Sequence, residues 1–163
     1  MSDQFTVTQI GIIHTSFTKK EDMPIQPSGG QEITAEVEVF PDFREGLEDL
    51  EGFSHIFLLY YLHKSSGYNL KVVPFLDTVP RGLFSTRAPR RPSPIGLSVV
   101  ELVKREENIL TVRGVDILDG SPLLDIKPYV PVFETEEKIR IGWLTGRAHS
   151  VYTKRSDTRF HDK

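Results

Sequence analysis

Ile33-Thr34-Ala35-Glu36-Val37-Glu38-Val39-Phe40 sets Ile33, Ala35, Val37 and Val39 against Thr34, Glu36 and Glu38 with a period of two. Successive side chains of a strand point to opposite faces, so this stretch predicts a β-strand lying half-buried on a core. Phe53 to Leu62 is almost wholly apolar, which suits a strand covered on both faces. Thr6 to Ile13, Leu70 to Phe75, Gly96 to Lys104 and Ile109 to Val115 read as further strands, and Pro122 to Val132 as an extended, proline-marked segment. Lys19 to Gly30, with Pro24, Pro27, Gly29 and Gly30 and no periodicity, reads as a loop. Phe43 to Leu50 predicts a short helix capped by Asp42. Many short strands with few helices define a mainly β fold, a single sheet curled into a closed or nearly closed β-barrel with short helices. Composition turns polar after Phe133, which divides the chain into a barrel domain over residues 1–133 and an appendage over 134–163, packed on the barrel or on a dimer partner.

The 163 residues suffice for one core without staples. The absence of cysteine excludes disulfides, thiolate zinc sites and Cys nucleophiles. The start MSDQFTVTQIG lacks a basic region followed by an apolar one, and the longest apolar run, Ile56 to Leu62, falls far short of the ~20 residues that span a bilayer. The expected location is cytoplasmic, with no membrane partner. A net charge of −3 argues against nucleic-acid binding by bulk charge. The charge is nevertheless segregated. Gln31 to Glu51 holds eight acids and one base, whereas Arg81 to Arg105 holds six bases and one acid. Such a pattern binds an anion locally, or else marks two solvated loops of opposite sign.

Two segments carry candidate chemistry. In TRAPRRPSPIGLS, Thr86 to Ser98, Pro92 and Pro94 hold the chain extended, and Gly96 admits a close neighbour to the backbone. Arg87, Arg90 and Arg91 on this stiff loop suit phosphate or carboxylate, unless they are merely solvated. In LDGSPLLDIKPYVP, Leu118 to Pro131, Asp119-Gly120 signals a hairpin turn. Beyond it, an extended chain puts Asp125, Lys127 and Tyr129 on one face at intervals of about 7 Å. Pro128 confines that strand to an edge or an opening. The three side chains form either a proton-moving, polar-substrate site or an Asp–Lys salt bridge beside a snorkelling Tyr. Histidine metal binding is disfavoured, since His55 and His63 on one strand lie about 27 Å apart. No metal is expected. His63 marks either the exit of a buried strand or a ligand contact. Signatures of dinucleotide oxidoreductases, P-loop NTPases and α/β-hydrolases are missing from the sequence.

Taken in order, IGIIHTSF, Pro24-Ile25-Gln26-Pro27, LEDLEGFSHIFLLYYLHK, GLFSTRAPRRPSPIGLSVVEL and LDGSPLLDIKPYVP resemble the TsaA/TrmO family of tRNA methyltransferases from about Ile10 to Pro131. The resemblance implies a non-Rossmann barrel that binds S-adenosyl-L-methionine, acts as a homodimer and methylates N6 of N6-threonylcarbamoyladenosine next to the anticodon of tRNA. It implies cofactor contacts at Gln26, Pro27 and Ser28, at His63 and Lys64, at Arg87 and Leu97, and at Asp119, Gly120, Ser121 and Pro122. Ser93 stands where Asn is commoner in the family, and Ser28-Gly29-Gly30 is shorter than the corresponding bacterial loop.

On this reading Asp125 or Tyr129 assists loss of the N6 proton and Lys127 holds a carboxylate or phosphate. Arg90 and Arg91, with Arg147, Lys154, Arg155 and Arg159 of the tail, form a footing for tRNA. Three other readings stay open: a non-catalytic RNA-binding barrel that grips a single strand, a small-molecule hydrolase or sensor, and a methyltransferase of the same fold with another acceptor.

Overall fold

The computed structural model describes residues 3–19, 33–134 and 140–147. Six antiparallel strands close into a barrel: β1 (Gly11–His14), β2 (Thr34–Val39), β3 (His55–Tyr61), β6 (Ile95–Glu106), β7 (Ile109–Arg113) and β8 (Ser121–Pro128). Their order around the barrel is β1-β2-β7-β6-β3-β8. The expected barrel is therefore present and fully closed. A separate two-stranded ribbon, β4 (Lys71–Val72) with β5 (Arg81–Gly82), stands apart from it, and a short helix α1 (Pro131–Glu134) follows β8.

The core follows from the period of two. In β2, Ala35, Val37 and Val39 are buried, as the alternation requires. Ile56, Leu58 and Tyr60 of β3, Val100 of β6, Leu110 and Val112 of β7 and Leu123 of β8 meet them in one cluster. The opposite side of β3, with Phe57 and Leu59, is only half-covered, so the strand is not buried on both faces.

Several boundaries differ from the sequence reading. Regular pairing of β1 begins at Gly11 rather than Thr6, because residues before Ile10 have no partner strand, and Phe5 and Val7 lie in solvent. The expected helix over Phe43–Leu50 is two 3-10 turns, Pro41–Leu47 and Leu50–Gly52, broken where Asp49 takes a left-handed φ of 63°. Phe40, not Asp42, holds the cap position. Pro41 begins the first turn with a preset φ and no amide hydrogen to satisfy. Leu70 to Phe75 contributes only the two residues of β4.

The Asp119-Gly120 pair makes a turn but no hairpin. Ser121 N–H donates to Leu118 O at 3.3 Å and Gly120 adopts φ +74°, a conformation glycine takes without strain. The amides of Asp119 and Gly120 are taken by Phe17 O and Ile13 O, so β8 leaves to pair with β1 and β3 rather than with the preceding segment. Pro128 closes β8 past the last residue that faces β1, where only β3 remains alongside. This is the opening that its missing donor requires. The Lys19–Gly30 loop falls almost wholly outside the described residues. No helix among the described residues is long and apolar enough to cross a membrane.

Candidate active site at one rim of the barrel

The strand registers bring six chain ends to a single rim: the ends of β1, β3 and β7 and the starts of β2, β6 and β8. The loops leaving it carry His63 and Lys64 after β3, Arg87 before β6, and the Asp119–Ser121 turn before β8. Ser121 Oγ lies 3.3 Å from His63 Nδ1 and donates to Leu118 O at 2.7 Å. Asp119 Oδ1 accepts from the Thr15 amide at 2.9 Å, which ties the turn to the end of β1. Arg87 reaches the start of β6 and donates from Nη2 to Leu97 O at 2.9 Å. The Leu97 side chain points outward and is 45% exposed. Pro122 pairs with Ile12 inside β8. Gln26, Pro27 and Ser28 lie outside the described residues.

Beneath this rim is a polar chain that the sequence reading missed. Tyr60 Oη is 3.0 Å from Ser98 Oγ, and Ser98 Oγ donates to Asp116 Oδ1 at 2.6 Å. Ser98 is wholly buried. The Tyr60 ring lies flat against Gly96, where a Cβ would come within 2.3 Å of it. The close neighbour that Gly96 admits is thus a core tyrosine. Burial pushes the Asp116 carboxyl up to about 6, against the opposing pull of the Ser98 hydrogen bond and the Arg87 charge. Burial, then the Asp116 charge, also raises the Tyr60 phenol well above its ordinary range. A signal was available in the sequence: Asp116 interrupts the apolar run Val115 to Leu118, whose neighbours Val115 and Ile117 are fully buried. Acids in such runs are rarely idle.

The other candidates stand apart from the rim. Leu124 is the extra residue of a bulge, since Leu59 faces Asp125 while Tyr60 faces Leu123. The bulge turns Asp125 and Lys127 to the outer wall, beside Leu59 and Phe57. There Lys127 Nζ pairs with Asp125 Oδ2 at 2.7 Å, and Tyr129 packs edge-on against Phe57 at 5.3 Å. The three share a face as expected, but no contact joins them to His63, Arg87 or Asp119 among the described residues.

Arg90 and Arg91 are braced by backbone carbonyls. Arg90 Nε donates to Ser66 O at 2.8 Å, and Arg91 Nη1 to Thr86 O at 3.0 Å and Ala88 O at 3.2 Å. The Arg91 guanidinium lies 5.7 Å over the exposed ring of Phe84. Part of the tail docks nearby. Trp143 Nε1 donates to Ser85 O at 2.8 Å and faces Arg81, while Arg147 joins Arg81 on the buried Asp77. Lys154, Arg155 and Arg159 lie outside the described residues. Among the described residues no three His, Cys, Asp or Glu side chains gather as a metal site.

A closed antiparallel barrel with loops from distant parts of the chain converging on one charged rim presents a candidate small-ligand site on a non-Rossmann scaffold. The family model of the tRNA-methyltransferase O N-terminal domain matches residues 12–135, and the chain belongs to that family. A protein of Pyrococcus abyssi described as a probable S-adenosyl-L-methionine-binding protein is 54% identical over 151 residues, 93% of this chain and 82% of that protein. The mouse tRNA (adenine(37)-N6)-methyltransferase is 35% identical over 139 residues, 81% of this chain but 32% of the mouse protein. The crystal structure of TrmO from Pseudomonas aeruginosa matches with a TM-score of 0.73 at 38% identity, over 86% of this chain and 63% of that one. The family expectation and the barrel are thereby borne out.

Proposed function

We propose that the chain is an S-adenosylmethionine-dependent tRNA methyltransferase that modifies N6 of N6-threonylcarbamoyladenosine beside the anticodon and works as a homodimer. One observation supports the reading: Ser121 of the Asp119–Pro122 turn faces His63 at 3.3 Å, and the Leu62 amide beside it donates to Pro94 O of the arginine loop at 2.8 Å, so segments distant in sequence share one rim of the barrel. The donor set there fits the cofactor. Arg87 offers a guanidinium fork to its carboxylate, and Asp119, Ser121 and His63 offer acceptors and donors to its polar groups, with Gln26, Pro27, Ser28, Lys64 and Leu97 completing the proposed set. S-adenosylmethionine, when bound, supplies an electrophilic methyl group on a positively charged sulfur. The relatives' descriptions name this cofactor and a tRNA adenine as acceptor.

For the acceptor the protein supplies position. The braced Arg90 and Arg91 present charge at little further entropic cost, and raised salt weakens tRNA binding sharply while sparing cofactor binding. Asp125, Lys127 and Tyr129 retain their proposed roles in proton removal and anion holding. From the outer wall they act on an acceptor held at the rim of a second copy.

The test is incubation of purified protein with methyl-labelled cofactor and total tRNA, followed by digestion to nucleosides. Label in the N6-methylated threonylcarbamoyladenosine supports the reading. Label in another nucleoside replaces the acceptor, and cofactor binding without label leaves a non-catalytic barrel.

A further inference from the structure

Asp116 has a carboxylate lodged below the ligand rim, yet no arginine, lysine or histidine lies within ion-pair distance of it among the described residues. The groups around it are Ser98 from β6, Tyr60 from β3 and, farther off, Arg87 from the loop before β6. Other charged groups at this end have partners of their own. Arg113 at the end of β7 pairs with Glu101 at 3.4 Å, Asp119 takes the Thr15 amide, and His63 faces Ser121. An asparagine would fill the same space and meet the same hydroxyl, so what distinguishes aspartate here is its charge. A half-buried charge such as Asp116, without a close counter-ion among the described residues, is costly unless a cation arrives to meet it.

We propose that Asp116 is a cofactor-binding residue whose carboxylate faces the positively charged sulfur of S-adenosylmethionine and selects it over the uncharged thioether of S-adenosylhomocysteine. The inference rests on the cofactor reading above and deepens it. Ser98 fixes the carboxylate oxygen by a short hydrogen bond, and Tyr60 fixes Ser98, so the acceptor is held in place before the ligand enters. Methyl transfer abolishes the sulfur's charge, so the attraction to Asp116 vanishes with the product and favours its departure. The same carboxyl, protonated as pH falls below about 6, no longer attracts the cation.

The experiment is calorimetric titration of wild type and Asp116→Asn with S-adenosylmethionine and, separately, S-adenosylhomocysteine, between pH 5 and 7. Both ligands keep their α-amino groups charged across this range, so only the sulfur distinguishes them. In wild type, the ratio of affinity for S-adenosylmethionine to affinity for the thioether falls as pH drops through about 6. Asp116→Asn loses about tenfold or more in affinity for the sulfonium and keeps the thioether within about threefold, with no remaining pH step in the ratio of the two. The retained thioether binding certifies an intact cavity. A variant with the wild-type preference between the two ligands overturns the inference and leaves the cofactor reading standing. An equal loss for both ligands overturns it as well. Wild-type protein that binds neither overturns both readings.

Discussion

The charge on Asp116 has a second consequence, in stability, that is measurable without any ligand. Its carboxyl titrates at about 6 in the fold against an ordinary 3.8. A little over two decades at about 1.4 kcal/mol each makes ionisation roughly 3 kcal/mol costlier in the folded protein than in the unfolded chain. Because the folded value is the higher one, the contribution is at its most favourable below pH 3.8 and is lost as pH rises through 6. Asp116→Asn removes the charge and keeps the shape. The variant should match wild type near pH 3.5, gain steadily between pH 4 and 6, and level off about 3 kcal/mol more stable at neutral pH, or roughly 6 to 12 °C in melting temperature. Urea unfolding at a series of pH values reads this directly, since the other carboxylates contribute equally to both proteins. A variant that is no more stable at pH 7.5, or a gap independent of pH, would refute the reasoning. Greater stability together with weaker sulfonium binding is the pattern of a residue kept for function rather than for folding.

Two further outcomes follow from contacts in the fold. Gly96→Ala places a methyl group within 2.3 Å of the Tyr60 ring. It should cost about 1–3 kcal/mol in denaturant unfolding and weaken cofactor binding by shifting Tyr60 off Ser98. Asp77→Ala strands Arg81 and Arg147 together, whereas Arg147→Ala leaves Asp77 its bond from Arg81 at 2.8 Å. The first should therefore lower the melting temperature more than the second in thermal unfolding.

Strand existence was legible wherever a strong period of two coincided with burial, as in Thr34–Val39, because one face of such a segment has nowhere else to go. Boundaries were less legible, because a strand extends only as far as its neighbours do, and Thr6 to Gln9 lies beyond the reach of β2 and β8. The turn at Asp119-Gly120 could be read from its residues, but what it joined could not. Its partners, Ile13 and Phe17, come from about a hundred residues upstream. Asp116 stood out within its apolar run, but its partnership with Ser98 and Tyr60 was invisible for the same reason, since each member comes from a different part of the sequence. The outward turn of Asp125 and Lys127 depends on one bulge at Leu124, and strand alternation alone does not reveal such an inserted residue.

That outward turn makes a demand on assembly. Asp125, Lys127 and Tyr129 stand on the wall formed by β3 and β8, and the neighbouring outer face of β3 and β6 exposes Tyr61, Ile95 and Leu97 at 40–45%. Exposed apolar side chains clustered on one sheet face suit an isologous contact, in which each copy lends the other the same surface. If the triad serves a rim in the second copy, an Arg87→Ala chain supplies a sound triad and a damaged rim, and an Asp125→Asn chain supplies the reverse. Each variant alone is inactive. Mixed by unfolding and refolding together, half of the dimers become hybrids, and each hybrid has one rim and one triad that are both intact, so about a quarter of the wild-type methylation sites return. Were the triad to serve its own rim, every hybrid site would carry one lesion and mixing would restore nothing. Single-turnover methylation of tRNA by the mixture separates the two arrangements, and wild-type rates in Asp125→Asn, Lys127→Ala and Tyr129→Phe, each made singly, would remove the triad from the chemistry altogether.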